Sequence, residues 1–315
     1  MDKVIKDFKD FIYASKSELT KVEPLYFSNF DSLKLVKRGK VRDIYEIDDS
    51  LLIVSTDRIS AFDVILPTPI PLKGMILNIL SYFWFKQLEH IVENHLISVD
   101  PDDYPYECRK YADRLRFRSM LVRKMNVYKI ECIVRGYLAG SGYEEYKRTS
   151  SICGIKLPEG LKMSSKLPEP IFTPSTKSES GHDQNISLDE AKEIVGEDIL
   201  KIKENSIRIF EFASNYLDKR GIILCDTKFE FGFDKDRECV LVDEVLTPDS
   251  SRFWFKELYE EGKPQESYDK QFVRDYLKSL VWNKTYPAPN LPSEIVLGTL
   301  ERYITILEKT VFSNL

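Results

Sequence analysis

The chain has 315 residues, of which 43% are apolar and 12% aromatic, enough for a large core and two or more lobes. Its 46 basic and 51 acidic side chains give a net charge of −5, which argues against a general nucleic-acid-binding protein. The five cysteines lack CxxC spacing, which predicts free thiols in a reducing compartment. There is neither a signal-peptide core nor an apolar run of membrane-spanning length. We therefore expect a soluble, cytoplasmic protein without membrane partners.

The first part of the chain is predicted to be rich in β-structure. Gly39 separates two strand-like runs in "LKLVKRGKVRDIYEID", and the prolines of residues 66–74 indicate a loop. We predict a β-rich lobe over residues 1–125 and a larger α+β lobe over residues 126–315. The other elements predicted here are an amphipathic helix over residues 2–19, a strand in "SLLIVSTD", an apolar helix over residues 75–95, and strands over Met120–Arg123 and Ile130–Arg135.

The second part begins with a segment of loop-like composition. Residues 150–187 are rich in Pro, Ser and Gly, which predicts a long loop that is either functional or disordered. Ser187 and Glu190 have the spacing of a capping box and are predicted to open the next helix. The remaining predicted elements are a helix over about residues 197–220, a hairpin from residue 224, and two helices over about 269–282 and 293–309.

The hairpin "LCDTKFEFGFDKDRECVLVDEVL" carries charges at informative positions. Because strand side chains alternate, Asp226, Lys228 and Glu230 share one face. The return arm is apolar apart from Asp243 and Glu244, and a buried carboxylate needs a partner or a metal. Oxygen ligands of this kind suit Mg²⁺ bound beside phosphates. A solvent-exposed hairpin with incidental charge pairs is the alternative interpretation.

The register of this hairpin depends on its turn, "FDKDRE". A four-residue loop over residues 234–237 would pair Phe233 with Glu238 and therefore Lys228 with Asp243. That register would bring Asp243 to the charged face, whereas a slip of one residue would reverse the result.

Basic residues elsewhere are placed to bind anions. A turn at Gly39 flanked by lysine and arginine can lie over nucleotide phosphates. Each cluster could equally be an exposed turn, a surface arginine or a disordered loop. The candidates are Lys40 and Arg42 beside Gly39, Arg135 before Ser141, Ser251 and Arg252 after the hairpin, Lys177 and Asp183 in the polar loop, and Lys270 and Arg274 on one helical face. Together they predict ATP and a second phosphorylated or carboxylated substrate.

Six blocks, in this order, resemble the SAICAR synthetase family of purine biosynthesis: "RGKVRDIYE", "STDRISAFDV", "ECIVRGYLAGSGYEEY", "FTPSTKSESGHDQNIS", "DTKFEFGF" and "DEVLTPDSSRFW". The similarity spans about residues 34–282 and is closest to the larger, yeast-like form. The resemblance implies a ligase that joins L-aspartate to carboxyaminoimidazole ribonucleotide (CAIR), converting ATP to ADP and phosphate through an acyl phosphate. It also implies an α+β fold, with a small kinase-like antiparallel β lobe, a larger ATP-grasp-like lobe, C-terminal helices and a nucleotide cleft.

The resemblance also assigns roles to individual residues. It implies phosphate contacts for Gly39, Lys40, Val41 and Arg42, adenine contacts for Lys124, Met125 and Val127, Mg²⁺ ligands at Glu230 and Asp243, catalytic roles for Asp226, Lys228, Lys177 and Asp183, and CAIR contacts for Arg135, Ser141, Ser251, Arg252, Lys270 and Arg274. The expected partners are ATP, CAIR and L-aspartate, in a monomer or small homo-oligomer. A small-molecule kinase and a nucleotide-binding scaffold without catalysis are the alternative functions.

Overall fold

The structure is a computed structural model that describes residues 2–14, 19, 22–177 and 184–314. It contains two compact units, each made of discontinuous segments. The first unit comprises Met1–Lys86, His95–Lys124 and Tyr268–Leu315, and the second comprises Gln87–Asn94 and Met125–Ser267.

This division differs from the predicted segments 1–125 and 126–315, because the C-terminal residues pack with the first unit. The Tyr286 hydroxyl accepts a hydrogen bond from the Ile65 amide at 3.0 Å. Thr68 contacts the same C-terminal segment through the Leu291 amide, again at 3.0 Å. Long-range pairs of this kind are invisible to local sequence patterns.

The helices and strands are numbered in chain order. In the described residues the helices are α1 (Lys3–Ala14), α2 (Lys73–Leu88), α3 (Ala112–Leu115), α4 (Gly140–Thr149), α5 (Leu188–Val195), α6 (Asp198–Asp218), α7 (Gln271–Ser279) and α8 (Ser293–Thr310). The strands are β1 (Lys34–Arg38), β2 (Arg42–Ile47), β3 (Ser50–Ser55), β4 (Ser60–Ala61), β5 (Val64–Ile65), β6 (Leu96–Ser98), β7 (Ser119–Arg123), β8 (Asn126–Val127), β9 (Ile130–Tyr137), β10 (Ser151–Ile152), β11 (Ile155–Lys156), β12 (Lys166–Phe172), β13 (Ser175–Thr176), β14 (Ile222–Phe233), β15 (Cys239–Val242) and β16 (Ser251–Phe255).

The first unit is built on an antiparallel sheet with strand order β1-β2-β3-β7-β6. The strands predicted on both sides of Gly39, in "SLLIVSTD" and at 120–123 are confirmed. β2 alternates between buried and half-buried residues, as expected for a strand with one face on a core, whereas β1 is exposed along its length at the sheet edge.

α1 spans Lys3–Ala14, and residues 15–18 of the predicted helix lie outside the described residues. The second helix ends earlier than predicted. α2 ends at Leu88 because the following residues enter a turn, in which the Ile91 and Val92 amides both donate to the Leu88 carbonyl. The chain after that turn is used in sheet pairing, since the Arg123 amide donates to the His95 carbonyl at 2.7 Å. No helix in the described part of the chain has the length and hydropathy needed to cross a bilayer.

The second unit is built on a sheet centred on β9 and β14, which pair antiparallel with each other. β12 and β13 add to β9, while β8, β15 and β16 add to β14. The prediction of a continuous loop over residues 150–187 is wrong, since β10 to β13 lie within it. β12 contains Pro168 and Pro170, which are tolerated because this strand lies at the sheet edge and its pairing is irregular between Lys166 and Ile171.

The predicted hairpin exists, but its predicted register is wrong by one residue. Phe233 pairs with Cys239, not with Glu238. The loop is longer because the Asp234 carboxylate accepts hydrogen bonds from the Asp236 and Glu238 amides, at 2.9 and 3.1 Å. Asp243 therefore does not lie opposite Lys228.

The helices of the second half are confirmed, with ends shifted by a few residues. Both hydrogen bonds of the predicted capping box at Ser187 and Glu190 are present at the start of α5. α6 spans Asp198–Asp218, α7 spans Gln271–Ser279 and α8 spans Ser293–Thr310.

Candidate active site

A charged face covers the centre of the second unit's sheet. Arg135 on β9 lies opposite Asp226 on β14, and Arg252 on β16 also lies opposite Asp226. Because side chains alternate along strands, Glu131 shares this face with Arg135, and Lys228 and Glu230 share it with Asp226. Asp226, Lys228 and Glu230 therefore share one face, as predicted. Asp243, expected on the same face from the return arm, does not lie opposite Lys228. We call the residues of this face, with Lys177, the charged face.

Asp226 is the shared partner of two arginines. Its Oδ2 accepts hydrogen bonds from Arg135 Nη1 at 3.2 Å and from Arg252 Nη1 at 2.5 Å. The Asp226 side chain is 9% exposed and that of Arg135 only 3%. Thr173 fixes Arg135 from the other side, since its Oγ1 accepts from Arg135 Nε at 3.0 Å. One carboxylate faces two guanidinium groups, whose planar donors suit the oxygens of an anion.

The N-terminus of α4 lies at this cluster. Arg135 Nη2 donates to Ser141 Oγ at 3.2 Å, and Ala139 at the N-cap makes no side-chain capping hydrogen bond. Uncapped first-turn amides and the helix dipole both favour an anion. Gly140 explains part of the "GSG" sequence, because a Cβ there would lie 2.2 Å from Arg252 Nη2.

Lys228 pairs with Glu131, a residue that sequence reasoning missed. Its Nζ lies 2.6 Å from Glu131 Oε1, and the Glu131 side chain is 10% exposed. Burial opposes the Lys228 charge, but Glu131 and the nearby Glu230 and Glu244 outweigh it, so the Lys228 pKa lies above its ordinary value. Lys228 is therefore a fixed cation at neutral pH. The signal was available, since a glutamate in the apolar run "IECIV" requires a partner.

Lys177, the residue directly after β13, extends the charged face. Its Nζ makes a short ion pair with Glu230 Oε2, so two residues predicted for different roles meet directly. Asp183, the other residue predicted in this polar segment, lies outside the described residues.

Glu230 and Asp243 were predicted to bind Mg²⁺ together. β15 ends at Val242, and Asp243 takes a left-handed backbone conformation with φ of 68°. Among the described residues, no three carboxylate, histidine or cysteine side chains are grouped as a metal site. Two carboxylates remain compatible with Mg²⁺, which commonly takes one or two from the protein and the rest of its ligands from phosphates and water.

Ser251 faces away from the charged cluster. It pairs with Thr227 across β14 and β16, and the two hydroxyl oxygens lie 2.8 Å apart. Its neighbour Arg252 points to the opposite face, since side chains alternate along a strand. The predicted contact of Ser251 with CAIR stays a prediction, as does that of Arg252.

The residues predicted to bind the nucleotide belong mainly to the first unit. Gly39 to Arg42 form a turn between β1 and β2, closed by the Gly39 amide donating to the Arg42 carbonyl at 2.8 Å. We call residues 39–42 the glycine turn. Lys40 makes a short ion pair with Asp63.

The residues predicted to receive adenine are consecutive or nearly so, at Lys124, Met125 and Val127. Lys124 Nζ lies 2.7 Å from Glu46 Oε1. Met125 begins the longer segment of the second unit, and Val127 on β8 is 44% exposed.

Lys270 and Arg274 both lie at the start of α7. Lys270 is the N-cap residue, and its carbonyl accepts from the Arg274 amide at 3.1 Å. Both side chains are half-buried in the first unit. The helix predicted around these residues is present, but Lys270 is its N-cap and does not lie within it.

Two arginines that share one carboxylate at a helix N-terminus, beside paired lysines and glutamates, are typical of enzymes that bind anionic small molecules. The SAICAR synthetase family model matches residues 35–289. The chain is 58% identical over 277 residues to the phosphoribosylaminoimidazole-succinocarboxamide synthase of Thermodesulfovibrio yellowstonii, covering 88% of this chain and 94% of that protein. Identity with the synthase of Desulfosudis oleivorans is 56% over 289 residues, covering 91% and 98%.

Solved structures show the same relationship. A SAICAR synthase from Saccharomyces cerevisiae complexed with SAICAR has a TM-score of 0.81 and 45% identity, covering 94% of this chain and 98% of that chain. A SAICAR synthetase in complex with ADP has a TM-score of 0.63 and 30% identity, covering 88% and 97%.

The chain belongs to the SAICAR synthetase family. Its fold is the α+β fold of that family, and the expected similarity to the yeast form is confirmed. It is an ATP-dependent ligase of purine biosynthesis that joins L-aspartate to CAIR. The kinase and scaffold alternatives are set aside by these comparisons.

Proposed function

We propose that the ligation runs through an acyl phosphate, with the charged face of the second unit holding CAIR. The observation that carries this proposal is the Asp226 carboxylate shared by Arg135 and Arg252 beside the uncapped start of α4. A ribonucleotide phosphate would bind the guanidinium groups and the α4 amides. Ser141 would add its hydroxyl, and Lys270 and Arg274 are further candidates for contacts with CAIR.

The glycine turn would cover the ATP phosphates, and residues 124, 125 and 127 would receive adenine through backbone groups. Mg²⁺ would be held by Glu230 and Asp243, whose carboxylate oxygens are the hard ligands that this ion prefers. When bound, it would neutralise charge on the phosphates. Lys228 would add a fixed positive charge beside them, because the carboxylates around it keep its pKa above the ordinary value.

The chemistry requires activation of a carboxylate, since a free carboxylate is a poor electrophile with a poor leaving group. One carboxylate oxygen of CAIR attacks the γ-phosphorus, and the bond from that phosphorus to the β–γ bridging oxygen breaks to release ADP. The aspartate amine then attacks the acyl carbon, loses a proton, and displaces inorganic phosphate. The residues of the charged face hold the anionic groups in place during both steps.

Lys177 and Asp183 would serve the aspartate end of the site. Lys177 already neutralises Glu230 in the structure, so its cation lies beside the proposed metal ligand. If Lys177 contacts aspartate, Lys177→Gln should raise the KM for aspartate more than the KM for ATP.

The proposal is tested by measuring ADP release with Mg-ATP, CAIR and L-aspartate, omitting each in turn. The expected result is that release requires all three and that the product has gained one aspartate. Steady ADP release with a phosphorylated product that lacks aspartate would identify a kinase and contradict the proposal.

We also propose a cytoplasmic location and a monomer or small homo-oligomer. All five cysteines are free and buried, which suits a reducing compartment. Cell fractionation tests the location, and sedimentation of the purified protein tests the oligomeric state.

A further inference from the structure

The block "STDRISAFDV" covers residues 55–64. Its first half, from Thr56 to Arg58, lies directly against the glycine turn. Arg58 is 1% exposed, and a fully buried arginine is uncommon unless all its donors are used.

Arg58 holds two carbonyl groups of the glycine turn. Its Nε donates to the Lys40 carbonyl at 3.1 Å, and its Nη2 donates to the Gly39 carbonyl at 3.0 Å. Nη2 also donates to Asp43 Oδ1 at 2.8 Å, while Nη1 donates to the Tyr26 carbonyl. The guanidinium group therefore ties the turn to the buried Asp43 on β2.

Thr56 holds the next carbonyl. The Val41 carbonyl accepts from the Thr56 amide at 2.9 Å and from Thr56 Oγ1 at 2.8 Å. Three consecutive carbonyls, those of residues 39, 40 and 41, are thus all bound by one segment.

This arrangement fixes the direction of the amides in the same peptide units. In a planar trans peptide the N–H points opposite to the C=O. The carbonyls of Gly39 and Lys40 point at Arg58, so the amides of Lys40 and Val41 point away from it. In the described part of the chain neither of these two amides has an acceptor, and the Lys40 residue is exposed. Successive outward amides form a concave site for anions.

We propose that Arg58 and Thr56 are positioning residues that set the glycine turn to bind nucleotide phosphates through the Lys40 and Val41 amides. This inference rests on the proposed role of the glycine turn. The groups recognised would be the β-phosphate of a nucleoside diphosphate, or the β- and γ-phosphates of a triphosphate. The base and ribose would not contact the turn.

Arg58→Lys tests the proposal, because lysine keeps the charge beside Asp43 but cannot reproduce the planar fork that binds two carbonyls. Affinities for ADP and AMP are measured by calorimetry with Mg²⁺ present. We expect ADP affinity to fall about tenfold to a hundredfold, the loss typical of hydrogen bonds to charged groups, with AMP affinity unchanged. The KM for ATP should rise and the KM for CAIR should not.

Arg118→Lys is the matched control. Arg118 is 3% exposed in the same unit and pairs with buried Asp57 at 3.0 Å, without a contact to the glycine turn. It reports the loss of a buried arginine that contacts the same segment through Asp57 but holds no carbonyl of the glycine turn. If the two variants change ADP affinity equally, or if AMP affinity falls together with ADP affinity in Arg58→Lys, the positioning role is wrong.

Thr56→Val provides a second test with little change in volume, in case Arg58→Lys does not fold. It removes one donor to the Val41 carbonyl and should weaken ADP binding but not AMP binding. Thr299→Val is its control, since Thr299 is buried and donates to a carbonyl within α8 at 2.6 Å. An equal response of the two threonine variants would also overturn the proposal.

The backbone amide NMR signals of Lys40 and Val41 separate this inference from the proposed function on which it rests. If saturating ADP shifts these two signals no more than AMP does, the glycine turn does not meet phosphates and the nucleotide assignment itself fails. If ADP shifts both signals while Arg58→Lys behaves like Arg118→Lys, only the positioning role fails.

Discussion

At the scale of single residues, Arg252 is the side chain whose removal should separate CAIR binding from ATP binding. Arg252→Gln removes one of the two cations that share Asp226. We expect the KM for CAIR to rise about tenfold to a hundredfold, the effect of losing a charge-assisted hydrogen bond. Steady-state kinetics with each substrate varied in turn measures this split.

Arg208→Gln is the control for that variant. Arg208 on α6 makes an exposed pair with Glu204 at 3.9 Å, and such pairs contribute little. Equal increases in the KM values for CAIR and ATP in Arg252→Gln would remove Arg252 from the CAIR site.

The residue scale also shows which site members a sequence can reveal. Asp226, Lys228 and Glu230 were predictable as one set because alternation along a strand depends only on local geometry. Glu131 and Thr173 were missed because they meet Lys228 and Arg135 across strands distant in sequence. The direction of Ser251 was missed for the same reason, since Thr227 fixes its hydroxyl from the next strand.

At the scale of elements, the start of α4 should tolerate no side chain at Gly140. This residue has φ of 55°, and a Cβ would lie 2.2 Å from Arg252 Nη2. Gly140→Ala should therefore displace Arg252 and raise the KM for CAIR, and the left-handed backbone should cost about 1–2 kcal/mol of stability. Kinetics and urea unfolding measure the two effects.

Gly154→Ala is a matched control for Gly140→Ala. Gly154 has φ of 79°, and a Cβ there would meet nothing within 4 Å. We expect a similar loss of stability with an unchanged KM for CAIR. A raised KM in both variants would show that general destabilisation, and not Arg252, controls CAIR binding.

The positions of helices and strands were predicted better than the register in which the strands pair. Periodicity gave the two strands beside Gly39, and cap chemistry gave the start of α5 at Ser187. The hairpin register failed because one carboxylate, that of Asp234, stabilises a loop one residue longer than expected. Prolines in β12 hid a strand, since composition does not distinguish a sheet edge from a loop.

At the scale of the whole molecule, the buried thiols should be inert in the folded state. All five cysteines are buried and free, and burial raises the pKa of the Cys108 and Cys239 thiols to about 11. The native protein should not react with a thiol reagent at pH 8, whereas the denatured chain should react at all five. Immediate reaction of native cysteines would contradict the burial of the core.

The same two thiols, Cys108 and Cys239, predict how the stability of the folded protein changes at high pH. Their folded pKa is raised above the ordinary value near 9, so the stability they contribute is complete below pH 9. It should be lost as the pH rises from about 9 towards 11. Val281→Cys, at a fully exposed position, is a positive control for reagent access.

The division of the chain was the least predictable feature at this scale. The first unit collects residues from both ends of the sequence, through contacts such as that of Tyr286 with Ile65. The family's blocks nevertheless predicted the fold and the reaction, because they fall on the glycine turn, on β9 with α4, and on β14 and β16.

The acyl-phosphate route is tested most directly by following the carboxylate oxygen of CAIR. CAIR labelled with ¹⁸O in its carboxylate is incubated with the enzyme, Mg-ATP and L-aspartate, and the inorganic phosphate is analysed by mass spectrometry. Transfer of one labelled oxygen to each phosphate is the predicted result, because the acyl phosphate breaks between carbon and that oxygen. Formation of SAICAR with unlabelled phosphate would contradict the acyl-phosphate route.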